Sequence, residues 1–171
     1  MDKNITASYE DVFMQRAIEL SELAYKTGKG LPIGCVIVKD GVIVGEGHNE
    51  IFHRTNPTAH GEMVAIEDAC KKGGTLQLEG CEMYTTLEPC PMCLCAIYWA
   101  KLKVVYFANT NKDAAQVGFD DTFIFEEFAK TQEERKIPMF GVNNAGAMQV
   151  LKNWRATNTS ASQPWADANS N

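Results

Sequence analysis

Apolar residues recur along the chain with two different periods, which predict alternating helices and strands. The first helix is predicted to follow Ser8 as its N-cap, with Phe13 and Leu20 on its apolar face, and to end at residues 28–30, where two glycines stand. Two runs rich in β-branched residues then flank Asp40-Gly41. Because Asp-Gly favours the tight turn between antiparallel strands, these runs predict a β-hairpin.

The remaining pattern alternates helix and strand as far as residue 155. A second helix is predicted from a Thr58 N-cap to Lys72, whereas residues 109–119 are predicted to be irregular. The other strands are predicted at residues 81–86, 103–108 and 137–142, and the other helices at residues 91–100, 122–128 and 145–155. Pro138 would place the last strand at a sheet edge, because proline cannot donate a ladder hydrogen bond. This order predicts an α/β fold with one sheet and helices on both faces.

Length and composition are typical of a globular domain that folds without disulfide bonds. We expect one domain over residues 1–157 and a flexible tail over residues 158–171. No apolar run reaches membrane-spanning length and residues 1–4 lack a signal region, so we expect a cytoplasmic protein. The six cysteines are then expected to be free or metal-bound. Four of them have apolar neighbours and are predicted to be small core residues: Cys35, Cys70, Cys81 and Cys95.

The charge balance bears on the kind of partner. The formal net charge is −6, from 16 Lys and Arg against 22 Asp and Glu, and no cluster of four or more basic residues occurs. Binding of nucleic acid usually requires a basic face, because most of the affinity comes from phosphate contacts. The composition therefore favours a small-molecule substrate.

Two cysteines and a histidine form a candidate metal site. Cys90 and Cys93 flank Pro91 at the predicted start of a helix, and residues three apart share one helix face. The helix N-terminus lowers thiol pKa values, and the thiolate is the form that binds metal. His60 lies in the predicted first turn of the upstream helix, together with Glu62. These donors leave zinc one ligand short of a tetrahedron, which distinguishes a catalytic site from a structural one.

Three other readings of these residues remain open. Cys90 and Cys93 could be a redox dithiol, because C-x-x-C after a strand is also typical of thioredoxin-like proteins. A purely structural zinc would need a fourth ligand, for which His48 and His53 are the spare histidines; both are otherwise expected to be loop residues. The third reading is a zinc-stabilised binding module without catalysis.

The combination of H-x-E at residues 60–62 with P-C-x-x-C at residues 89–93 is the signature of zinc-dependent nucleobase deaminases. The chain resembles the cytidine-deaminase superfamily over roughly residues 8–157, and it is most similar to the bacterial guanine-deaminase branch. Pro57-Thr58-Ala59-His60 and Ala96-Ile97-Tyr98-Trp99-Ala100 are similar to this branch in kind, whereas the segments that make the narrower resemblance specific are Gly118-Phe119-Asp120-Asp121 and Glu133-Glu134-Arg135-Lys136-Ile137-Pro138.

The resemblance implies a layered fold with one mixed sheet, a Zn²⁺ cofactor and hydrolytic deamination of a free nucleobase, guanine to xanthine plus ammonia. It implies His60, Cys90 and Cys93 as zinc ligands and Glu62 as the proton carrier. Asp121 is implied as a second acid near the base, although an ordinary helix N-cap explains it equally well. The residues implied to contact the base, some through their backbone, are Asn49, Gly61, Ile33, Trp99 and Phe119; Trp99 also fits a core position.

The resemblance further implies a homodimer that exchanges C-terminal segments, with Trp165 as a candidate to close the neighbour's site.

Two positions depart from the guanine-deaminase pattern. Ile33 stands where that branch has phenylalanine, and Gly61 stands where it has alanine; both are similar to fungal cytosine deaminase. Cytosine, or a related cyclic amidine, is therefore the alternative substrate. A tRNA wobble-adenosine deaminase shares the zinc motifs, but the charge of the chain counts against it.

Overall fold

The computed structural model describes residues 9–158. Within that range the chain divides after residue 123 into two compact units. The first unit is built around a four-stranded sheet in the order β2-β1-β3-β4. Its strands are β1 (Gly34–Lys39), β2 (Val42–His48), β3 (Glu82–Leu87) and β4 (Val104–Asn109).

The sheet is mixed, as the resemblance implied. The strand β1 pairs antiparallel with β2 and with β3, whereas β3 and β4 are parallel. Asp40 and Gly41 join β1 to β2 with positive φ angles of 51° and 75°, which is the turn geometry that Asp-Gly favours. The predicted hairpin is therefore confirmed. The carboxyl ends of β3 and β4 lie side by side, because the two strands are parallel.

Helices cover both faces of the sheet. On one face α1 (Asp11–Lys26) packs Phe13, Ala17 and Leu20 against Val36 and Tyr84. On the other face lie α2 (Gly61–Gly73) and α3 (Pro91–Trp99). The core on that side joins both helices to the sheet and consists mainly of Cys35, Ile37, Ala65, Ala69, Met83 and Ile97. The predicted α/β class with two covered faces is confirmed.

The starts of the first two helices differ from the prediction. The helix α1 begins at Asp11 with Glu10 at its N-cap position, while Ser8 lies outside the described residues. The N-cap of α2 is His60, not Thr58. Thr58 is held by a local turn instead, because both its backbone N–H and its hydroxyl donate to Asn56 Oδ1. The correction moves His60 to the boundary of the helix and leaves Glu62 in its first turn.

A short helix occupies part of the segment that was predicted to be irregular. It is α4 (Asn111–Gln116), and it begins with a reciprocal capping box. The Thr110 hydroxyl accepts from the Asp113 N–H, and the Asp113 carboxylate accepts from the Thr110 N–H. The T-x-x-D spacing carried this signal in the sequence, but the polar composition of the segment obscured it.

The second unit contains the end of α5 (Thr122–Ala129), a 3₁₀ turn (Gln132–Glu134) and α6 (Ala145–Thr157). The predicted strand at residues 137–142 is wrong, because none of these residues joins a sheet. Pro138 has no N–H to donate, and the Met139 carbonyl accepts from the side chain of Gln132 instead of from a strand. Ile137 and Phe140 are highly exposed.

Two predictions about single residues also need correction. Cys35 and Cys81 are buried as predicted, but Cys95 is exposed and Cys70 is only partly buried. His48 is buried at the end of β2 and is not a loop residue. Across residues 9–158, no helix combines the length and the apolar character that crossing a membrane requires.

Candidate active site

The first half of the site is the start of α2. The helix begins at Gly61, so His60 stands in an extended conformation just before it. The second half is the turn from β3 into α3, where Cys90 is the N-cap and Pro91 the first helical residue. Proline fits this place because the N–H that it lacks would have no partner inside the helix. Cys93 follows one turn later and is fully buried.

The N-terminal ends of α2 and α3 bring three potential metal ligands together. His60 Nδ1 lies 3.7 Å from Cys90 Sγ and 3.6 Å from Cys93 Sγ. Tetrahedral zinc with ordinary bond lengths to nitrogen and sulfur separates such atoms by about 3.6 Å. The donor set therefore fits zinc in both chemistry and spacing. Among residues 9–158, the group of close ligand atoms includes neither His48 nor His53, so the structural-zinc reading lacks its histidine ligand.

The thiols are poised to act as ligands. The Cys93 thiol, and after it the His60 imidazole, lower the pKa of Cys90 to about 4 by hydrogen bonding to its sulfur. The same bond to Cys90, and after it burial, raise the pKa of the Cys93 thiol. Hydrogen bonding to Cys90 raises the pKa of His60. A thiolate is thus available at neutral pH, which is the form that a metal requires.

Glu62 lies beside this cluster and is almost completely buried. Burial raises the pKa of its carboxyl group to about 7. Its Oε2 atom has no hydrogen-bond partner among residues 9–158. A buried carboxyl group without a full set of partners is unfavourable for folding, and such groups concentrate at functional sites.

Asn49 also presents an unpartnered polar atom. The residue is fully buried after β2, and its Oδ1 accepts hydrogen bonds from the N–H groups of Leu31 and Ile51. Its Nδ2 atom has no hydrogen-bond partner in the part of the chain that the structure describes. The backbone N–H of Asn49 donates to the Ile33 carbonyl at 2.8 Å. A Cβ atom at Gly61 would lie 3.1 Å from that same carbonyl oxygen, so Asn49 stands next to the start of α2.

Asp121 is the second acid that the sequence singled out. Burial raises the pKa of its carboxyl group, and the Cys90 thiolate raises it further, which places the two groups near each other. No described residue forms a hydrogen bond with its Oδ1 atom. The hydrogen bond at the start of α5 goes elsewhere, since the Thr122 N–H donates to Asp120 Oδ1 at 3.0 Å. Among the described residues, this hydrogen bond at the start of α5 is therefore accepted by Asp120 and not by Asp121.

A cavity of about 270 Å³ opens at the carboxyl ends of β3 and β4. Its lining includes Ile33 and Phe119, which the resemblance implied to contact the base, but it includes none of the metal-site residues His60, Glu62, Cys90 and Cys93. The position agrees with the rule that open α/β sheets bind ligands at the carboxyl ends of parallel strands. The lining residues that sequence reasoning missed are Pro32, Thr86, Leu87, Asn109, Asp113, Ala114 and Val117. Their signal was the parallel pair of strands followed by the capping box of α4.

Trp99 is the candidate that the fold does not bring to this site. It is the last residue of α3, whereas Cys90 stands at the other end of that helix. At about 1.5 Å per residue, the length of α3 separates the two positions by more than 10 Å. The Trp99 side chain is 60% exposed, so it is not a core residue either.

Comparison with known proteins agrees with this geometry. Residues 7–109 match the model of the cytidine and deoxycytidylate deaminase zinc-binding region. The chain belongs to this family of zinc-binding deaminases. It is 47% identical to guanine deaminase of Bacillus subtilis (strain 168) over 145 residues, which cover 85% of this chain and 93% of that protein.

Two further comparisons bear on the branch of the family. The X-ray structure of guanine deaminase from Bacillus subtilis matches with a TM-score of 0.83 and 44% identity, over 91% of this chain and 97% of the other. The tRNA-specific adenosine deaminase of Aquifex aeolicus (strain VF5) is 40% identical over 103 residues, which cover 60% of this chain and 68% of that protein. The resemblance to the guanine-deaminase branch is confirmed, and the chain is a homologue of guanine deaminase.

Proposed function

We propose that this protein deaminates free guanine, giving xanthine and ammonia. One observation carries the proposal: the imidazole of His60 and two thiols meet beside Glu62, a buried carboxyl group with an unpartnered oxygen. Similarity to guanine deaminase over 85% of the chain supports guanine as the base.

The proposed metal is Zn²⁺, held by His60, Cys90 and Cys93. Two thiolates and an imidazole form a donor set typical of zinc, and three protein ligands are typical of a catalytic site. Zinc, when bound, acts as a Lewis acid that lowers the pKa of water. The charge of two thiolates weakens this effect, so a nearby proton acceptor is needed.

Glu62 is proposed to move the protons of the reaction. It takes a proton from the attacking water and passes it to a ring nitrogen of the base. It then takes a second proton from the newly formed hydroxyl group and gives it to the amino group, so that a carbonyl forms as the C–N bond breaks and ammonia departs. A carboxyl pKa near neutrality suits both steps, because the group must accept and release a proton in each cycle.

The other site residues are proposed to hold the base. Asn49 donates from its free Nδ2 atom, and Asp121 accepts from an N–H of the ring or shares its proton traffic. Ile33 and Phe119 pack against the faces of the base. The backbone N–H groups of Gly61 and Cys90 stand near the reacting centre. The position of Trp99 gives no support for a binding role.

An ammonia-release assay tests the substrate. Purified protein is supplied with guanine, cytosine, adenine and guanosine, and its zinc content is measured on the same sample. We expect turnover of guanine at close to one zinc per chain. Turnover of cytosine alone would replace guanine by the alternative that Ile33 and Gly61 suggest. No ammonia from any base by zinc-loaded protein would favour the non-enzymatic binding module.

The proposal extends to assembly and location. Residues of α6 and of the segment before it expose apolar side chains, and none of the residues of α6 is buried. We propose a homodimer in which each chain places this C-terminal segment on its partner, because a second copy can cover these residues. The candidate Trp165 lies outside the described residues. We place the protein in the cytoplasm, where its six free cysteines would stay reduced.

A further inference from the structure

The side-chain amide of Asn49 is held in one orientation. Its Oδ1 atom accepts hydrogen bonds from Leu31 N–H at 3.1 Å and from Ile51 N–H at 3.3 Å. Only oxygen can accept from two N–H groups, so these bonds fix which end of the amide is the carbonyl. The Nδ2 end is consequently fixed as well, and it is buried without a partner in the described part of the chain.

The donor at Leu31 reaches Asn49 because the preceding residue has no side chain. A Cβ atom at Gly30 would lie 2.2 Å from the backbone oxygen of Asn49 and 2.3 Å from its Oδ1. Both distances are far below van der Waals contact. The backbone of residues 30–31 therefore lies directly against Asn49, and any larger residue at position 30 would push the two segments apart.

We propose that Gly30 is a positioning residue of the substrate site, which lets the 30–31 backbone lock the Asn49 amide with its Nδ2 donor free for an acceptor atom of the base. This rests on the proposed function, since it assigns a substrate contact to Asn49. Asn49 is well placed for a substrate contact. Its backbone nitrogen lies 3.5 Å from the position of a Cβ atom added at Gly61, the residue that separates His60 from Glu62 in the sequence. A ring nitrogen or carbonyl oxygen of the base satisfies the buried donor, whereas a base with an N–H at that point leaves two donors facing each other.

The first test is the substitution Gly30→Ala. It should raise KM for guanine about tenfold, the effect of losing one well-made hydrogen bond, with a smaller change in kcat. Gly73→Ala is the matched control. Gly73 lies at the far end of α2, where the nearest atom to an added Cβ is the Thr75 methyl carbon at 3.3 Å. The Gly73→Ala variant should therefore have the wild-type KM.

A double-mutant cycle separates positioning from general distortion. In an Asn49→Ala background the amide is gone, so Gly30→Ala should leave KM nearly unchanged, whereas distortion of the site would raise KM as much as in the wild type. Equal rises in both backgrounds would overturn the proposal, as would a normal KM for Asn49→Ala alone. If Gly30→Ala does not fold, Leu31→Pro removes the first donor without adding a side chain at position 30. It should raise KM only in the presence of Asn49.

The fixed orientation of the Asn49 amide, the proposed lock, can also be measured without an activity assay. In ¹⁵N-labelled wild-type protein, the Nδ2 signals of Asn49, assigned by their absence in Asn49→Ala, should exchange slowly with water. In Gly30→Ala or Leu31→Pro they should exchange at least tenfold faster. Rapid exchange in the wild type refutes the lock. Slow exchange together with no turnover of guanine refutes the proposed substrate and leaves the lock standing.

Discussion

Within residues 9–158, three polar atoms of the candidate site are buried without a hydrogen-bond partner: Asn49 Nδ2, Glu62 Oε2 and Asp121 Oδ1. An unpartnered buried polar group costs about 1–3 kcal/mol of folding free energy. Such groups call for an explanation, and contact with a bound base is the one that we propose for these three atoms. Each belongs to a residue that the sequence motifs had already singled out.

Glu62 is the residue with the sharpest expected effect. Glu62→Gln keeps the shape of the side chain but removes its ability to accept a proton, so kcat should fall by roughly 10²–10⁴-fold while zinc content and melting temperature stay close to wild type. Ammonia release, metal analysis and thermal unfolding measure the three quantities. Glu79→Gln is the control. It changes an exposed carboxylate that pairs with Lys101, outside the candidate site, and it should leave all three quantities unchanged. A Glu62→Gln enzyme with the wild-type rate would require another proton carrier.

Asp121 and its neighbour Asp120 form a matched pair. Asp120 accepts the Thr122 N–H, whereas Asp121 has an unpartnered oxygen and a pKa raised by burial. Asn caps helices as well as Asp does, so Asp120→Asn should change neither stability nor kcat/KM for guanine. Asp121→Asn should lower kcat/KM at least tenfold if its carboxyl group serves the base. Equal, small effects of both substitutions would mean that Asp121 has only a local structural role.

Between elements, Arg16 ties α1 to β2. Its Nε and Nη2 atoms donate to the two carboxylate oxygens of Glu46 at 2.7 and 3.0 Å. The guanidinium lowers the pKa of Glu46 below the unfolded value. The pair thus adds stability above the unfolded pKa of about 4.3, and this contribution is lost as the pH falls through the lower folded value.

The substitution Glu46→Gln tests this tie. It should reduce the free energy of unfolding by about 0.5 kcal/mol at pH 7, because the pair is partly exposed and solvent screens it. The difference from wild type should shrink once the pH is below the folded pKa of Glu46. Denaturant unfolding at several pH values measures both. Glu22→Gln removes a more exposed pair with Lys26 on the same helix and should cost less at every pH.

How far the elements could be predicted depends on whether their signals were local. The hairpin at Asp40-Gly41 and the helix that starts at Pro91 follow from turn and capping chemistry, and both were predicted. The N-cap of α2 was misplaced because Thr58 has a local partner in Asn56, which no periodicity reveals. The strand predicted at residues 137–142 failed because apolar residues alone do not supply a neighbouring strand with which to pair.

The candidate site divides in the same way. The spacing of residues along the chain identified the candidate metal ligands His60, Cys90 and Cys93. Ligands at the start of a helix follow short, recognisable sequence spacings, such as the three residues from Cys90 to Cys93. The lining residues Thr86, Asn109 and Asp113 were missed, since they meet only when β3 and β4 lie parallel. Trp99 was included on resemblance alone, and the fold places it at the wrong end of α3. Ligands and caps that are close in sequence can be predicted from it, whereas residues that become neighbours only across a sheet cannot.

At the scale of the whole molecule, the second unit exposes apolar side chains that a soluble monomer would normally bury. Met148, Leu151 and Trp154 lie three residues apart along α6, and each is about half exposed or more. Phe140 and Val142, in the segment before it, are exposed by more than 80%. Exposed apolar residues grouped in one segment are typical of an interface between chains. A second copy of the chain is the partner that we propose.

Sedimentation velocity at micromolar concentration tests this assembly. The full chain should sediment at twice the monomer mass, and deletion of residues 141–171 should give a monomer, because it removes α6 and, before it, the exposed Val142. Deletion of residues 158–171 leaves α6 intact and is the control; it should remain a dimer, with its main effect on KM for guanine if the tail helps to close the neighbour's site. A compact monomer of the full chain would refute the exchange. A dimer that survives the longer deletion would place the interface on the first unit instead.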